Sequence, residues 1–356
     1  MPKHALLVTR SAPIGIKVLY CLSMAGWRVS IAVDGAPSLL RWSRYIAGTL
    51  ELPDINQTDR VTLADSIDDY CTRKRVSVIL GDAIGAAGLL HELRPLLRTP
   101  TYAPEPSRRL QRIHDKWAFY QQLRDSFPMP RTALLNSVRD LNANVVDWVG
   151  RPFLLKPLNG EAGHGIRRFD GCEDAVRYQK APGKYRSFPL LIQQYIQGRD
   201  FGYSVISDKG NVIIDDVQSW GSDDVRMFCC DEQVRTLCRE IIAKLNYSGP
   251  AFIDLRRDEQ SGRFYPLECN CRFWSTMTAN AWMGINYPNI AAYMALGIEF
   301  KVDPGQLSAY HLPGTIARYF VRPWNLPQIS RKNWLGFFQA ISDPLPHVLS
   351  ALHYDS

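Results

Sequence analysis

The first hundred residues alternate between short apolar runs and stretches with helical periodicity. Ala5–Thr9 is an apolar run that predicts a buried strand, and Ile14–Ala25 carries its apolar residues at helical spacing before Gly26. A strand, a helix and a second buried strand are predicted in the same way at Arg28–Val33, Val61–Lys74 and Val76–Leu80. Strands that alternate with helices indicate an α/β domain with a parallel sheet.

Beyond residue 130 the pattern changes to longer strands and a hairpin. Apolar runs predict strands at Thr132–Leu135, Pro152–Lys156, Leu190–Tyr195, Phe252–Arg256 and Phe264–Cys269. Phe201–Ser207 and Val212–Gln218 indicate a hairpin around the turn Asp208-Lys209-Gly210. Helical spacing is found over Val138–Val149 and from Val234 to Leu245.

Three regions follow from these elements. We expect an α/β domain at residues 1–105, which ends in a proline-rich stretch containing Pro100, Pro104 and Pro106. A second domain at 106–305 divides into subdomains at 106–187 and 188–305, and a C-terminal extension occupies 306–356. The first strand–helix turn, Thr9–Gly15, lacks the Gly-x-Gly-x-x-Gly pattern of dinucleotide binding. We therefore interpret the first domain as a scaffold that lines part of a substrate cleft.

Composition narrows the class of protein. The chain has 356 residues, 46% of them apolar and 22% charged, which is typical of a globular protein and excludes a fibrous or disordered chain. Its 42 basic and 35 acidic residues give a net charge of +7. Because no block of five or six Lys or Arg occurs, we expect no nucleic-acid binding and favour a phosphorylated ligand or an acidic surface.

Cysteine spacing and the N-terminus bear on the compartment. The eight cysteines are scattered without a Cys-x-x-Cys pair, which favours reduced thiols over disulfides or zinc. The opening apolar stretch is too short for a secretory signal, and no apolar run is long enough for a membrane-spanning helix. We therefore expect a cytoplasmic protein.

The first candidate site follows the strand Pro152–Lys156. Lys156 ends this strand, and the loop Asn159–Gly165 after it contains three glycines. Glycine lets backbone N–H groups close around an anion, and the lysine adds a localised positive charge. This arrangement suits a nucleoside triphosphate, although the P-loop pattern is absent. A flexible hairpin with a solvated lysine is the alternative.

The second candidate site lies on the last two predicted strands. Period-two spacing puts Glu268 and Asn270 on one side of a strand, and Arg272 continues that side if the strand persists. Asp254 is positioned to face them from the neighbouring strand. Two carboxylates and an amide oxygen suit Mg²⁺, which binds one or two carboxylates together with ligand phosphates. The alternative is a polar sheet face with Asp–Arg and Glu–Arg pairs.

Taken in order, these motifs resemble the ATP-grasp superfamily, specifically its carboxylate–amine ligases, over roughly residues 1–305. The family is similar to D-alanine–D-alanine ligase and to the halves of the carbamoyl-phosphate synthetase large subunit. His114–Phe119 resembles its Asp-Lys/Arg-x-x-Phe segment, and Leu191–Asp200 its adenine- and ribose-binding hinge. The resemblance implies an α/β domain, a two-subdomain ATP-grasp fold and a short C-terminal extension.

The same resemblance assigns roles to individual residues. It implies that Asp254, Glu268 and Asn270 are metal ligands, and that Arg272 and Lys156 are catalytic. Arg272 corresponds to the arginine that faces the transferred phosphoryl group. The implied ATP-binding residues are Lys116, Lys156, Gly160, Gly163, His164, Gly165, Gln193, Gln194, Ile196 and Asp200. ATP and Mg²⁺ are the implied cofactors, with Mn²⁺ as an alternative metal.

Three positions depart from the family pattern. Gln193 stands where the family has Glu, Cys271 where Pro is common, and His164 lies in a loop that lacks the usual Gly-Gly pair. The amide oxygen of Gln193 can still meet the adenine amino group. For His164, a solvent-facing residue is favoured over a contact with the γ-phosphate. No departure removes a charge that the chemistry needs, so activity is expected.

The resemblance implies ATP-dependent joining of a small-molecule carboxylate to an amine in a biosynthetic pathway. The alternatives are activation of bicarbonate or carbamate, as in carbamoyl-phosphate synthetase, and a non-catalytic ATP-binding regulator. We expect a monomer or homodimer.

Two further segments and a set of aromatic residues each have more than one interpretation. Ser219–Asp224 is either a lid or a surface turn. For the aromatic residues Trp220, Trp274, Trp282 and Tyr287, core packing is favoured over stacking on a substrate. The amphipathic tail from Trp334 to Leu352 is expected to cover the protein's own core, ahead of a homodimer contact and a membrane surface.

Overall fold

The computed structural model describes residues 3–34, 39–158, 160, 163–181, 183, 185–221, 225–302, 309–311, 338 and 342–346. Contacts divide the chain into two compact units. Unit 1 comprises Met1–Leu110, Ser204–Phe252 and Cys271–Ser356, and unit 2 comprises Gln111–Tyr203 and Ile253–Asn270. The predicted three-part division in chain order stays a prediction. No helix in the described ranges is both long and apolar enough to cross a membrane.

The N-terminal part of unit 1 is a five-stranded parallel sheet in the order β3-β2-β1-β4-β5. All five residues of its central strand β1 are buried, as expected where helices cover a parallel sheet. The elements are β1 (His4–Val8), α1 (Ala12–Met24), β2 (Arg28–Asp34), a 3-10 turn (Leu39–Trp42), β3 (Ile46–Leu52), α2 (Arg60–Lys74), β4 (Val78–Gly81), α3 (Ile84–Leu93), β5 (Thr101–Tyr102) and α4 (Ser107–His114).

Most of unit 2 is built on a four-stranded antiparallel sheet in the order β6-β9-β7-β8. Its elements are α5 (Lys116–Leu123), β6 (Thr132–Leu135), α6 (Ala143–Val149), β7 (Phe153–Pro157), β8 (Arg167–Phe169), α7 (Cys172–Lys180) and β9 (Leu190–Gln194). The single helix predicted over Val138–Val149 is wrong. A 3-10 turn ends at Asp140, and the side chain of Asn142 then accepts from Val145 N and caps a separate helix.

The remaining strands form a six-stranded sheet in the order β14-β13-β10-β11-β12-β15. The elements are β10 (Gly198–Asp208), β11 (Asn211–Trp220), β12 (Val225–Cys229), α8 (Glu232–Leu245), β13 (Gly249–Asp258), β14 (Phe264–Asn270), α9 (Met277–Trp282), α10 (Tyr287–Leu296) and β15 (Ala309–His311). The expected fold class, a parallel α/β sheet followed by antiparallel sheets, is confirmed.

The aromatic residues near the predicted site differ in their surroundings. Trp274 and Tyr287 are buried in the core of unit 1, as favoured from the sequence, and their rings meet edge-on with centroids 4.7 Å apart. Trp220 and Trp282 are partly buried at the margin of apolar clusters. Residues 222–224 of the proposed lid and most of the tail, including 334–337 and 347–352, lie outside the described residues.

Candidate active site

The carboxylates predicted from period-two spacing lie together in unit 2. Asn270 Nδ2 donates to Asp254 Oδ2 at 3.0 Å and to Glu268 Oε1 at 3.3 Å. Burial and the neighbouring Glu268 carboxylate raise the pKa of Asp254 well above its ordinary value. Strands β13 and β14 thus present two carboxylates and one amide as a single cluster.

Two buried lysines balance this negative charge. Lys116 Nζ, at the start of α5, forms an ion pair with Glu268 Oε2 at 3.0 Å. Lys156 is 3% exposed at the end of β7, and burial lowers its pKa to about 8 despite the nearby Glu268. Burial alone acts to raise the pKa of Glu268, but Lys116 and Lys156 outweigh it and hold that pKa below its ordinary value. Elements from both ends of unit 2 therefore meet in one charged site.

The donor set fits a divalent cation. Among the described residues, no group of three or more His, Cys, Asp or Glu side chains gathers as a metal site. The cluster instead combines Asp254 and Glu268 with the amide of Asn270, a hard oxygen set of the type that Mg²⁺ accepts. Both carboxylates already accept from Asn270 Nδ2. The amide has to turn about its last side-chain bond to present its oxygen to a cation.

The glycine loop lies beside the lysines. Lys116 Nζ donates to the carbonyl oxygen of Gly160 at 3.1 Å. Gly163 and Gly165 have φ angles of +74° and +79°, a left-handed conformation that favours glycine. His164 between them is exposed, and its ring meets that of Tyr185 edge-on at 6.1 Å. The described part of the loop thus contacts the lysine predicted to bind phosphate.

The predicted adenine hinge holds a buried acceptor without a partner. Gln193 Nε2 donates to Thr132 Oγ1 at 2.9 Å, and Thr132 Oγ1 donates in turn to Pro130 O at 2.8 Å. Because the Thr132 hydroxyl donates its only proton to Pro130 O, it must accept from Gln193 Nε2. This fixes the orientation of the Gln193 amide. Gln193 Oε1 is left buried, with no hydrogen-bond partner among the described residues. A buried acceptor of this kind fits a ligand amino group.

The other hinge positions differ in their contacts. Gln194 exchanges two hydrogen bonds with the backbone of Arg131: its N–H donates to Arg131 O at 2.8 Å, and its Oε1 accepts from Arg131 N at 3.2 Å. Ile196 is buried. Asp200 Oδ1, predicted to bind ribose, lies 3.4 Å from Arg256 Nη1.

Arg256 is a site residue that the sequence interpretation missed. Its Nη2 donates to Gly198 O at 3.2 Å, and its guanidinium lies 5.0 Å from the centre of the Tyr195 ring. Arg256 is two residues beyond Asp254 on β13, so the period-two spacing that grouped Glu268 with Asn270 also groups Asp254 with Arg256. Thr132, by contrast, carries no sequence signal of its link to Gln193.

Arg272 belongs to unit 1 and lies two residues beyond the end of β14 at Asn270, so the strand does not persist to carry it on the side of Glu268 and Asn270. Its Nη1 donates to Phe273 O at 2.9 Å. Within unit 1 it lines a narrow pocket with Asp82, Glu105 and Tyr102. Burial raises the pKa of Asp82 to about 6, although its carboxyl accepts from Thr9 Oγ1 and two backbone N–H groups. The role assigned to Arg272 stays a prediction.

Comparison with known proteins gives the same family that the motifs indicate. Residues 113–276 match the family model of the ATP-grasp domain. A curated D-alanine–D-alanine ligase from Rickettsia felis is 23% identical over 231 residues, which cover 58% of this chain and 70% of the relative.

Solved structures share the fold at low sequence identity. An L-amino acid ligase from Bacillus licheniformis has a TM-score of 0.57 and 16% identity, covering 83% of this chain and 74% of its own. A biotin carboxylase from Campylobacter jejuni has a TM-score of 0.62 and 16% identity, covering 85% and 73%. A carboxyaminoimidazole ribonucleotide synthase from Aspergillus clavatus, solved with ATP, has a TM-score of 0.64 and 13% identity, covering 86% and 80%. The match of residues 113–276 to the ATP-grasp family model and the curated relative confirm the resemblance drawn from the motifs, and the solved structures share the fold.

Proposed function

We propose that this protein is an ATP-dependent ligase that activates a carboxylate as an acyl-phosphate and joins it to an amine. One observation carries the proposal. Two buried lysines, Lys116 and Lys156, face the cluster of Asp254, Glu268 and Asn270. Phosphoryl transfer needs positive charge around the phosphates more than covalent help from the protein, and this site supplies it.

The reaction has two steps. A carboxylate oxygen of the substrate attacks the γ-phosphorus of ATP, the bond from that phosphorus to the β,γ-bridging oxygen breaks, and ADP leaves. The amine nitrogen then attacks the acyl carbon, inorganic phosphate leaves, and the nitrogen loses a proton. Lys116 and Lys156 hold the phosphate oxygens, and Arg272 faces the phosphoryl group in flight. Water must be excluded because it hydrolyses the acyl-phosphate.

The same proposal assigns the nucleotide and the metal. Gln193 Oε1 accepts from the adenine amino group, and Gln194 and Ile196 offer backbone groups to the adenine. Asp200 binds the ribose hydroxyls. Asp254, Glu268 and Asn270 hold Mg²⁺, with Mn²⁺ as an alternative, and the metal neutralises charge on the phosphates when bound. The proposal extends to a cytoplasmic biosynthetic role as a monomer or homodimer.

ADP formation from MgATP tests the function. We expect one or more carboxylates from a panel of amino acids and other small acids to stimulate ADP formation in the presence of an amine. Stimulation by bicarbonate alone would instead support the carboxylase-like alternative. Tight ATP binding with no stimulation by any acid would support a regulator and overturn the ligase.

Lys156→Ala tests the site with a matched control. Removing the ammonium at the end of β7 should weaken MgATP binding by about tenfold or more, since a charged hydrogen-bonding group is lost. Lys180→Ala, which removes an exposed lysine from the end of α7, should leave binding unchanged. Calorimetric titration measures both affinities, and an unchanged affinity in folded Lys156→Ala would remove Lys156 from the site.

A further inference from the structure

A buried polar network surrounds Asp216 in unit 1. Asp216 is 4% exposed on β11. Its Oδ2 accepts from Tyr287 Oη and from Asn280 Nδ2, each at 2.6 Å, and its Oδ1 accepts from Gln218 Nε2 at 3.4 Å. Within the described part of the chain no Lys or Arg forms an ion pair with it. The Asp216 carboxylate is thus buried among neutral hydrogen-bond donors.

The network extends to the loop that carries Arg272. Trp274 Nε1 donates to Asn280 Oδ1 at 3.3 Å, and Thr276 Oγ1 donates to Gln218 Oε1 at 3.4 Å. Asn280 and Gln218 are the same two amides that donate to Asp216. Asp216 thus reaches the loop at two points, through one intermediate side chain at each.

The loop itself has little regular structure to hold it. Residues 271–276 lie between β14 and α9 and belong to neither a helix nor a strand. The Arg272 guanidinium donates to Phe273 O, within the loop. Because strand pairing does not fix these residues, their position depends on side-chain contacts such as those of Trp274 and Thr276.

We propose that Asp216 is a positioning residue: through Asn280 and Gln218 it holds the 271–276 loop so that Arg272 is placed for phosphoryl transfer. This inference rests on the proposed function, in which Arg272 acts on the phosphoryl group. Asp216 touches no substrate, so its loss should lower the rate of the chemical step and leave nucleotide binding almost unchanged.

Hydrogen exchange tests the structural half of the proposal without any substrate. Asp216→Ala should speed amide exchange in a peptide covering residues 271–276. Asp216→Asn keeps an oxygen for Tyr287 and Asn280 but cannot accept from Gln218 Nε2, so its exchange should lie between that of the wild type and that of Asp216→Ala. Asp215→Ala is the matched control, since Asp215 pairs with Arg235 and Arg239 of α8. Unchanged loop exchange in folded Asp216→Ala, or equal acceleration in Asp215→Ala, would overturn the proposal.

A second variant guards against misfolding of Asp216→Ala. Asn280→Ala leaves Asp216 in place with Tyr287 and Gln218 but removes the acceptor of Trp274. The proposal expects faster exchange of the 271–276 peptide in this variant as well, and wild-type exchange in folded Asn280→Ala would count against it.

Kinetics test the catalytic half. With a carboxylate that stimulates ADP formation, Asp216→Ala should lower kcat by about 10- to 100-fold, the loss expected from a small misplacement of a catalytic group. The KM for ATP should change by less than about twofold. Rates are expressed per ATP site counted by calorimetry, so that unfolded protein does not contribute. Asp216→Asn, which keeps the Asn280 contact but not the Gln218 contact, should restore part of kcat, and a normal kcat in Asp216→Ala would reject the positioning role.

The two proposals fail in different ways. If no carboxylate or bicarbonate stimulates the wild-type protein, the proposed function fails, while hydrogen exchange still decides whether Asp216 holds the loop. If the wild type turns over and Asp216→Ala matches it, the ligase stands and the positioning role falls.

Discussion

At the scale of single residues, the hydrogen bonds that a side chain can offer a ligand depend on the hydrogen bonds that its neighbours already make. Thr132 donates to Pro130 and so receives from Gln193, which leaves Gln193 Oε1 as a fixed acceptor. In the proposed adenine site, an acceptor here would pair with the amino group of adenine but would face the carbonyl oxygen of guanine. Base selectivity should therefore reside in Gln193.

Gln193→Leu tests this selectivity. The change removes the acceptor while keeping an apolar volume, so ATP affinity should fall by about tenfold, the value of a buried hydrogen bond. GTP affinity should fall less, because the wild type offers guanine no matching donor. Titration of both nucleotides measures the ratio. Thr132→Val, which removes the acceptor of Gln193 Nε2 but keeps Gln193 Oε1, should lose less ATP affinity. An ATP-to-GTP ratio unchanged in Gln193→Leu would place base recognition elsewhere.

Asp216 predicts a pH dependence of stability. Burial raises its pKa from 3.8 to about 7 in the folded protein. Between those values the folded state holds one proton more than the unfolded state, so the free energy of unfolding falls as pH rises. The contribution lost by pH 7 is on the order of 4 kcal/mol.

Asp216→Asn removes this titration. Its unfolding free energy should therefore fall less than that of the wild type between pH 4.5 and pH 7.5. Urea denaturation at both pH values measures the difference, and the other titrating groups cancel because both proteins contain them. Parallel pH curves for the two proteins would show that Asp216 stays charged throughout.

At the scale of elements, two strands and a helix end create the charge balance of the site. Strand β14 brings Glu268 and Asn270 to one face, and the start of α5 brings Lys116 to within 3.0 Å of Glu268. Lys156 is contributed by β7. Each element alone exposes an unbalanced charge, so the site exists only once the elements pack.

Glu268→Gln separates charge from shape on β14. Turnover should be lost almost completely, and the unfolding free energy should fall by about 2–3 kcal/mol because Lys116 and Lys156 lose a buried partner. Glu259→Gln, on the exposed β13–β14 turn, makes the same change in charge and should affect neither quantity. Thermal denaturation and ADP formation measure the two effects. Near wild-type turnover at saturating Mg²⁺ would show that Glu268 is not a metal ligand.

At the scale of the whole molecule, compact units gather distant parts of the chain. In unit 1 the buried carboxylate of Asp343 accepts from Tyr20 Oη at 2.9 Å, Ser43 Oγ at 2.5 Å and Arg44 N at 2.9 Å. A short segment near the C-terminus is therefore bonded to the N-terminal α/β sheet region. The segment therefore belongs to unit 1 together with the N-terminal sheet.

Asp343→Ala should show the strength of this connection. Three donors lose their acceptor in a buried place, so the unfolding free energy should fall by about 2–4 kcal/mol. Leu345→Ala, in the same segment but exposed, should change it by less than about 0.5 kcal/mol. Chemical denaturation measures both variants. A loss in Asp343→Ala no greater than in Leu345→Ala would mean that the segment is not held by this carboxylate.

The sequence by itself determined what depends on neighbours along the chain. Period-two spacing grouped Glu268 with Asn270, a buried run ended at Lys156, and alternating signals predicted the parallel sheet, because side-chain direction within one element follows from its own geometry. The motif order added the family. The edge strand Ile46–Leu52 was missed because its Gly48, Thr49 and Glu51 interrupt the apolar run.

The tertiary structure decided which elements meet. Four contacts join residues far apart in sequence. They are the ion pair of Lys116 with Glu268, the hydrogen bond from Gln193 to Thr132, the contact of Arg256 with Asp200 and the link from Asp216 to the Arg272 loop. A pattern along the chain shows which face of an element is polar, but not which partner that face will find. The partner is fixed by packing of the whole chain, and with it the charge, the orientation and the chemistry of each group.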